Sequence, residues 1–328
     1  MKLGIIGAGL IATELFNFIY EIKDVEVTAI CATAKSEEKL KLLCQKHNIS
    51  QYYLNVAEIL DDPNVEVIYV AVPNHLHYPF AKQALEAGKH VICEKPFTST
   101  AEEARHLIQL AGERDLILLE AVTTNYLPNI QSIKEKLHQL GEIRIVSVNY
   151  SQYSSRYDAF KAGTVLPAFD PEMAGGALMD LNIYNINFVV NLFGRPLSLD
   201  YQANIRQGID TSGILTLDYG DFKCVCVGAK DCKAPFLNLV QGDQGCLCID
   251  SGVSEILNYR IITNDGREEI FDDNTGKHRM YYEFAEFARI IKDHDRNKAA
   301  KMQEITAVTM EIQTEARRKA GLLKEAKQ

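Results

Sequence analysis

The chain has 328 residues, of which 47% are hydrophobic and 24% charged, a composition typical of ordinary globular proteins. A formal net charge of −9 without a basic stripe argues against a nucleic-acid partner. Apolar runs fall well short of the ~20 residues that span a membrane, and the first residues enter a strand directly. We therefore expect a cytoplasmic protein of two domains that binds neither membrane nor nucleic acid.

A glycine-containing turn follows the first predicted strand. Lys2–Ile6 is a short apolar run, and Gly7-Ala-Gly-Leu-Ile-Ala12 leads from it into a helix with apolar periodicity. Glycines let the backbone approach a pyrophosphate, whose charge is favoured at a helix N-terminus. The pattern is weak by itself, but its place directly after a first strand predicts a dinucleotide site. The predicted cofactor contacts in this turn are Gly7, Gly9, Leu10 and Ile11.

The end of the second predicted strand, Val25–Ile30, bears on the choice of cofactor. An acidic residue at this place would bind the ribose 2′-hydroxyl of NAD. The chain instead continues Cys-Ala-Thr33-Ala-Lys35-Ser36, in which Thr33 and Lys35 can meet the 2′-phosphate of NADP. Alternatively, Lys35 and Ser36 only open the next helix, with Ser36 as its N-cap. We expect NADP or NAD, with NADP slightly favoured.

Strands alternate with helices up to about residue 120. The series consists of a helix at Glu37–His47, an apolar run at Val65–Val72, helices near 79–87 and 100–113, and a strand at Ile117–Leu119. Unbroken apolar runs are typical of parallel strands that are buried on both faces. The pattern predicts an α/β fold that begins with a Rossmann domain, a doubly wound parallel sheet, over residues 1–121.

One lysine stands at the carboxyl edge of this predicted sheet. The strand His90–Cys93 ends abruptly in Glu94-Lys95-Pro96. Open α/β folds bind their ligands at this edge, and Pro96 stiffens the turn that carries the ammonium group. We predict that Lys95 bonds to a substrate hydroxyl and tunes proton transfer.

The pattern changes after about residue 128. Val146, Val148 and Tyr150 alternate with polar residues, the period of a half-exposed strand, and similar runs continue to about residue 271. They predict a second α/β domain over residues 122–328, with a large and mostly antiparallel sheet. Two terminal helices are predicted, near 279–292 and 301–320. The open face of such a sheet must be covered, so we predict a homodimer, or a dimer of dimers, through it.

Two Cys-x-Cys pairs, Cys224/Cys226 and Cys246/Cys248, lie in segments with the strand period, so each pair projects from one face. Zinc-binding cysteines have about two to four residues between them, and catalytic zinc prefers mixed ligands. We interpret these cysteines as small residues of buried or half-buried strands, and we predict no metal site and no disulfide.

A polar stripe marks one predicted helix, Leu178–Leu192, which Gly175-Gly176 precedes and provides with a tight backbone entry. Asp180, Tyr184 and Asn187 follow at helical spacing and share one face of an otherwise apolar helix. Such a stripe is either a buried, satisfied hydrogen-bond network or a reactive face. The lysine turn elsewhere in the chain favours the reactive face.

Four segments together resemble the Gfo/Idh/MocA family, named for glucose–fructose oxidoreductase, inositol dehydrogenase and rhizopine catabolism. They are Gly7–Ala12, Ala71–His77, Ala87–Pro96 and Gly175–Tyr184, in the order and separation of that family over nearly the whole chain. The first segment is generic, whereas the last two are specific. The resemblance implies an NAD(P)-binding domain followed by an α/β substrate domain whose open sheet commonly mediates oligomerisation.

The resemblance also implies roles for individual residues. Pro73 and Asn74 would lie by the nicotinamide ribose, and Lys95 would touch both cofactor and substrate. His77 matches the family's Pro-Asn-x-x-His, and structural hydrogen bonding is our preferred interpretation of it and of His75. The cofactor contacts expected in these segments are Val72, Pro73, Asn74, His77, Glu94 and Lys95.

Much of the family has Asp-x-Gly-x-His-x-x-Asp in the fourth segment, where this chain has Asp180-Leu-Asn-Ile-Tyr184-Asn-Ile-Asn187. Tyrosine in place of histidine resembles the dimeric dihydrodiol dehydrogenase and glucose–fructose oxidoreductase branches. The segment Glu120–Pro128 also resembles the first branch. That branch, however, has tryptophan and arginine at the places of Thr123 and Asn125, which argues against an aromatic diol as substrate.

These residues together predict an enzyme that moves hydride between nicotinamide C4 and the carbinol carbon of a small secondary alcohol, a sugar or polyol. Tyr184 would exchange the hydroxyl proton, and the Lys95 cation would favour its phenolate, since a free tyrosine has a pKa of ~10. Asp180 would orient a substrate hydroxyl or hold Lys95. The predicted substrate contacts are Asn125, Arg156, Asp180, Tyr184 and Asn187.

Alternatives stay open at two points. A protein of this fold can be a catalytically silent NAD(P) sensor or a scaffold, or can reduce an imine or enone, although the presence of both Lys95 and Tyr184 favours an enzyme. A cluster of ring and guanidinium side chains can clamp a carbohydrate or fill an oligomer interface. Its members are Tyr150, Tyr153, Arg156 and Tyr157.

Overall fold

The computed structural model describes residues 1–323 of the chain. Its contacts divide the chain into two units, Met1–Ala121 with Lys277–Ala307, and Val122–Gly276 with the residues from Val308 onwards. Among residues 1–323, no helix is both long enough and apolar enough to cross a membrane.

The strands are β1 Lys2–Ile6, β2 Glu26–Cys31, β3 Gln51–Tyr53, β4 Val67–Val70, β5 His90–Glu94, β6 Leu118–Ala121, β7 Ile143–Ser151, β8 Ser198–Arg206, β9 Ile209–Asp218, β10 Lys223–Ala229, β11 Asn238–Gly242, β12 Gly245–Ile249, β13 Tyr259–Thr263 and β14 Glu268–Phe271. The helices are α1 Leu10–Glu14, α2 Glu37–His47, α3 Val56–Asp61, α4 His77–Glu86, α5 Ala101–Glu113, α6 Pro128–Lys136, α7 Tyr157–Lys161, α8 Ala177–Asp180, α9 Asn182–Phe193, α10 Arg279–Lys292 and α11 Arg296–Lys319. Short 3-10 turns join several of these elements.

The first unit contains a parallel sheet of six strands in the order β3-β2-β1-β4-β5-β6. Strand β4 is buried along its whole length, as the unbroken apolar run predicted. The predicted Rossmann fold is therefore confirmed. The strand order reverses between β1 and β4, and open α/β sheets bind ligands at the carboxyl ends of strands at such a point.

Residues 277–307 belong to the first unit, whereas the sequence interpretation placed them in the second domain. Phe284 of α10 packs edge-on against Tyr69 of β4, with the ring centres 5.2 Å apart. Thr306 of α11 donates a hydrogen bond of 2.8 Å to Glu120 of β6. An apolar stripe on a helix predicts that the helix packs against a sheet or another helix, but it does not specify which of the two sheets.

The second unit contains a sheet of eight strands in the order β14-β13-β12-β11-β7-β10-β9-β8, in which only the β7–β10 pair is parallel. The predicted large, mostly antiparallel sheet is confirmed. Val146 and Val148 of β7 are completely buried, whereas Ile145 on the opposite face is 49% exposed. One face of this sheet is thus a core face, and we call the other its open face.

The strand register places the two Cys-x-Cys pairs on opposite faces of this sheet. Cys224 of β10 pairs with Val146 of β7, on the core face. Cys246 of β12 pairs with Gln241, which pairs in turn with Ile145, on the open face. The four thiols of the two pairs therefore cannot converge on one metal ion.

The helix predicted over Leu178–Leu192 is two helices, α8 and α9, separated at Leu181. Asp180 is the last residue of α8, and Tyr184 lies in the first turn of α9. The amide of Asn182 donates to the carbonyl oxygen of Cys226 on β10, at 3.2 Å, which anchors the start of α9 to the core face. The prediction of one continuous helix is therefore wrong: the helix is interrupted at Leu181, next to the residue that is bonded to the sheet.

Candidate active site

The turn after β1 is built around two glycines with different functions. Gly7 has φ +121°, and a Cβ there would lie 2.1 Å from the carbonyl oxygen of Ala71, so no other residue fits. Its N–H donates to the carbonyl oxygen of Cys31, at 2.8 Å. Gly9 precedes α1 in an extended conformation, and an added Cβ there would meet no heavy atom within 4 Å among the described residues. The backbone next to α1 is therefore open to an approaching ligand.

Side chains from two elements surround this turn. Leu10 is 79% exposed, and Ala12 is completely buried, as close packing of helix and strand requires. Lys39 of α2 donates from its ammonium to the carbonyl oxygen of Ala8, within the turn itself. Thr33 and Lys35 are exposed at the end of β2. Open backbone and exposed cations at the carboxyl edge of the sheet fit a dinucleotide with its phosphates.

Lys39 was not among the predicted contacts. It lies in the first turn of a helix of ordinary composition, so only the folded chain brings it to the turn after β1. Ser36, which the sequence left open as an N-cap, occupies the N-cap position of α2 but makes no side-chain capping bond.

His77 links two loops at the carboxyl edge of the parallel sheet. Its Nδ1 lies 2.8 Å from the carbonyl oxygen of Pro96, and its Nε2 lies 2.9 Å from that of Val72. Burial lowers the pKa of His77 to about 4. Both ring nitrogens face backbone carbonyl oxygens, and the neutral ring donates its one N–H to one of them. His77 therefore positions its neighbours, and we no longer assign it a direct cofactor contact. Pro73 is exposed and Asn74 is half-buried in the loop that His77 holds.

The turn that carries Lys95 is held by two buried carboxylates. Glu94 accepts a hydrogen bond from the hydroxyl of Tyr69. Glu120 accepts one from the N–H of Phe97, at 3.1 Å, and one from Thr306, at 2.8 Å. Glu94 is only 6% exposed, so its side chain also positions the turn rather than reaching a cofactor. Lys95 itself is half-buried.

Lys95 interacts electrostatically with buried carboxyl groups of its own unit. Burial raises the pKa of Glu94, Glu120 and Glu283; Glu94 raises the pKa of the other two further, and Glu120 raises that of Glu283. The cation of Lys95 acts in the opposite direction on Glu94 and Glu120. The pKa of Glu120 is raised to about 7. Lys95 therefore belongs to a buried network in which its charge offsets the cost of desolvating carboxylates.

In the second unit, another buried carboxylate fixes the start of α8. Gly176 has φ +109°, and a Cβ there would lie 2.1 Å from Oδ1 of Asp210. Oδ2 of Asp210 accepts the N–H of Leu178, at 2.7 Å, and the hydroxyl of Tyr201, at 2.8 Å. The second glycine of the predicted Gly-Gly turn, Gly176, is therefore the residue that allows the Asp210 carboxylate to approach the backbone.

Asp180 is paired with a residue that the sequence analysis missed. Lys230, which follows β10, donates to Oδ2 of Asp180 at 2.8 Å, and the Lys230 side chain is only 2% exposed. No local motif marks Lys230, and 50 residues separate the two along the chain. Within its own unit Asp180 therefore binds Lys230, and the two predicted roles of Asp180, orienting a substrate hydroxyl or holding Lys95, stay predictions.

Tyr184 stacks on a second tyrosine. Its ring centre lies 5.6 Å from that of Tyr150, with the rings inclined by 23°. Phe236 packs edge-on against the other ring, 5.4 Å from Tyr150. The sequence allows two roles for Tyr150, in a carbohydrate clamp or in an oligomer interface. In the structure Tyr150 lies beside Tyr184, the predicted acid–base residue. Tyr157, from the same predicted cluster, packs into the core with Phe160 and Phe169.

Two predicted substrate contacts lie inside a buried amide network. Asn125 donates to Asn187 at 2.9 Å, and Asn191 donates to Asn125 at 3.0 Å. Lys134 donates to Asn191 at 2.5 Å. Asn125 is 4% exposed and Asn187 is completely buried. Their amides bind each other, so they fix α9 in place and we no longer assign them to substrate. Arg156, a further predicted contact, is exposed before α7.

A parallel sheet with an open glycine turn at its switch point is typical of dinucleotide-binding proteins, and here a second α/β unit follows it. Residues 1–122 match the model of the GFO_IDH_MocA oxidoreductase family with its NAD-binding Rossmann fold, and residues 131–245 match the GFO/IDH/MocA C-terminal domain. The chain belongs to the Gfo/Idh/MocA oxidoreductase family, as its motifs predicted.

Three known proteins illustrate the similarity. The chain is 34% identical over 331 residues to scyllo-inositol 2-dehydrogenase (NADP(+)) IolU of Bacillus subtilis, covering 100% of this chain and 99% of that one. It is 30% identical to the mouse trans-1,2-dihydrobenzene-1,2-diol dehydrogenase, over 68% of each. The structure of KijD10, a 3-ketoreductase from Actinomadura kijaniata in complex with NADP and TDP-benzene, has the same fold, with a TM-score of 0.83, 20% identity and 97% coverage of both chains.

The raised pKa of Glu120 predicts how stability depends on pH. An unfolded glutamate has a pKa of about 4.3, so between that value and about 7 the folded chain holds more proton at Glu120 than the unfolded chain does. The free energy of unfolding therefore falls as pH rises through this window. In Glu120→Gln the amide cannot ionise, and we expect a weaker fall and, at alkaline pH, a free energy of unfolding higher by about 1–3 kcal/mol.

Urea unfolding of both proteins across this pH range measures the effect. Glu304→Gln, which removes an exposed carboxylate from α11, is the matched control and should leave the slope unchanged. Identical slopes for the wild type and Glu120→Gln would contradict the prediction.

Proposed function

We propose that this chain is an NADP-dependent dehydrogenase that oxidises a secondary hydroxyl of a polyol or sugar and reduces the corresponding ketone. The observation that carries the proposal is its 34% identity, over the whole of both chains, to an NADP(+)-dependent inositol dehydrogenase. The retained Lys95 turn and the Asp180–Tyr184 segment, each fixed by buried hydrogen bonds, support it.

When bound, the nicotinamide supplies the acceptor and donor of hydride. Tyr184 takes the hydroxyl proton of the alcohol during oxidation and returns it during reduction. The Lys95 ammonium bonds to the reacting oxygen and favours the charged form of that oxygen and of a nearby phenolate. Asp180 accepts a hydrogen bond from a second substrate hydroxyl, which orients the carbinol carbon.

Cofactor preference is proposed to rest on cations near the end of β2. The glycine turn and the exposed Thr33 and Lys35 leave room for a 2′-phosphate, and no acidic side chain stands between residues 31 and 36 to bind a ribose hydroxyl. Lys39 reaches the same turn from α2. Exchanging its bond to the Ala8 carbonyl for a phosphate would give a stronger, charge-assisted bond.

We further propose a homodimer through the open face of the eight-stranded sheet. Ile145 of the central strand β7 and Ile214 of β9, the strand next to the edge, are 49% and 45% exposed there. Exposed aliphatic side chains on a central sheet face indicate an interaction surface, and a second copy presents the same surface. Eight free cysteines support a reducing, cytoplasmic location.

Tyr184→Phe tests the acid–base assignment. Loss of a positioned proton donor lowers turnover typically about 10²–10⁴-fold, and the phenylalanine ring keeps the stack on Tyr150. We expect a loss of this size with unchanged affinity for NADPH, measured by nicotinamide absorbance with scyllo-inositol and related polyols and by fluorescence titration. Tyr153→Phe, at an exposed tyrosine of the same unit, is the matched control. Unchanged turnover in Tyr184→Phe would exclude the assignment.

Lys39→Met tests the cofactor proposal. Removal of one phosphate-binding cation should weaken NADPH binding by about 10-fold and leave NADH binding unchanged, because only NADPH carries the 2′-phosphate. Lys41→Met, on the same helix but paired with Glu37 and Glu38, is the control. A clear preference of the wild type for NADH, or an unaltered NADPH dissociation constant in Lys39→Met, would contradict it.

Ile145→Arg tests the dimer. A charge in the middle of a sheet-to-sheet interface is costly when unpaired, so the variant should be monomeric at concentrations at which the wild type is dimeric. Sedimentation velocity over a dilution series measures the mass. Leu42→Arg, at a position 66% exposed on α2, should remain dimeric. A monomeric wild type at all concentrations would refute the proposal.

A further inference from the structure

We propose that Lys230 is a positioning residue for the reaction, which fixes the Asp180 carboxylate toward the substrate. The inference rests on the proposed function, because it assigns Asp180 to a substrate hydroxyl. Its basis is a single buried ammonium that joins three separate parts of the second unit.

Lys230 is anchored on both its backbone and its side chain. Its N–H donates to the carbonyl oxygen of Thr211 at 2.8 Å, and its own carbonyl oxygen accepts the N–H of Ser154 at 2.9 Å. The ammonium donates to Oδ2 of Asp180 at 2.8 Å and to the carbonyl oxygen of Ala168 at 2.6 Å. These four hydrogen bonds fix the position of the ammonium group next to the carboxylate of Asp180, at the end of α8.

An aromatic ring completes the surroundings of the ammonium. The nitrogen of Lys230 lies 4.6 Å from the ring centre of Phe169, within range of a cation–π contact. Ala168 also accepts the N–H of Gly176, at 3.2 Å, so one carbonyl joins Lys230 to the residue before α8. With Lys230 only 2% exposed, this arrangement excludes water from the cation.

The two ends of the ion pair differ in exposure. The Asp180 side chain retains 31% of its accessible surface, against 2% for Lys230. The pair therefore presents its carboxylate outward and its ammonium inward. A carboxylate held by a buried cation keeps one orientation, and a substrate hydroxyl then bonds to a preorganised acceptor. Removal of the cation removes the bond that sets this orientation.

A double-mutant cycle tests this role. With NADP and scyllo-inositol, Lys230→Met should lower kcat/KM by about 10- to 100-fold, the effect of one hydrogen bond between charged groups. Because Lys230 acts through Asp180, the same substitution should have no further effect on kcat/KM in an Asp180→Asn background. Equal losses in both backgrounds would show a general structural role and overturn the proposal.

Two further variants guard against misfolding and non-specific effects. Lys230→Gln keeps an N–H donor for the carboxylate and should recover part of the lost kcat/KM. Lys233→Met, which removes an exposed lysine of the same unit three residues further along the chain, should retain the wild-type kcat/KM. A Lys230→Gln variant no better than Lys230→Met would count against positioning by hydrogen bonding.

A crystal structure of Lys230→Met provides a readout without turnover. We expect the Asp180 carboxylate to leave its wild-type orientation while Leu178 keeps its bond to Asp210. An unmoved carboxylate overturns the proposal. If the wild type turns over no polyol or sugar, the proposed function fails, and the crystallographic result alone then decides the role of Lys230.

Discussion

A buried carboxylate that accepts a backbone N–H holds each of the two segments that carry the candidate chemistry. Glu120 binds the N–H of Phe97, two residues after Lys95, and Asp210 binds the N–H of Leu178, two residues before Asp180. Desolvation raises the pKa of both carboxyl groups, so both are costly to bury. Hydrogen bonds to the backbone offset that cost and at the same time restrict the turns. The hydrogen bonds that offset the cost of burying Glu120 and Asp210 therefore also hold the neighbouring Lys95 and Asp180 segments in fixed positions.

This arrangement separates the residues proposed to react from the polar residues that position them. Glu94, His77 and Asn187 belong to the second class, because their polar atoms are buried and engaged with backbone or with other side chains. Lys95 and Tyr184 are half-buried at the ends of such networks. Family motifs contain both classes side by side, so membership of a motif does not distinguish a residue that contacts a ligand from one that holds its neighbour.

Much of the fold and part of the site could be predicted from the sequence. The unbroken apolar run before Pro73 predicted a parallel strand buried on both faces, and the alternation at Val146 and Val148 predicted a one-sided sheet. Both follow from local periodicity. Lys39 and Lys230 could not be predicted, since neither has a local motif and each acquires its role from a partner about 30 to 50 residues away.

The sequence by itself determined the order of strands and helices and the family, because periodicity, turn chemistry and motif spacing are local properties of the chain. Only the tertiary structure decided that residues 277–307 pack with the first unit, that the helix breaks at Leu181, and that Asp180 faces a buried lysine. These depend on which distant groups meet in the interior. There, an unpaired charge or polar group is costly, and the pairing that satisfies it is set by the whole fold.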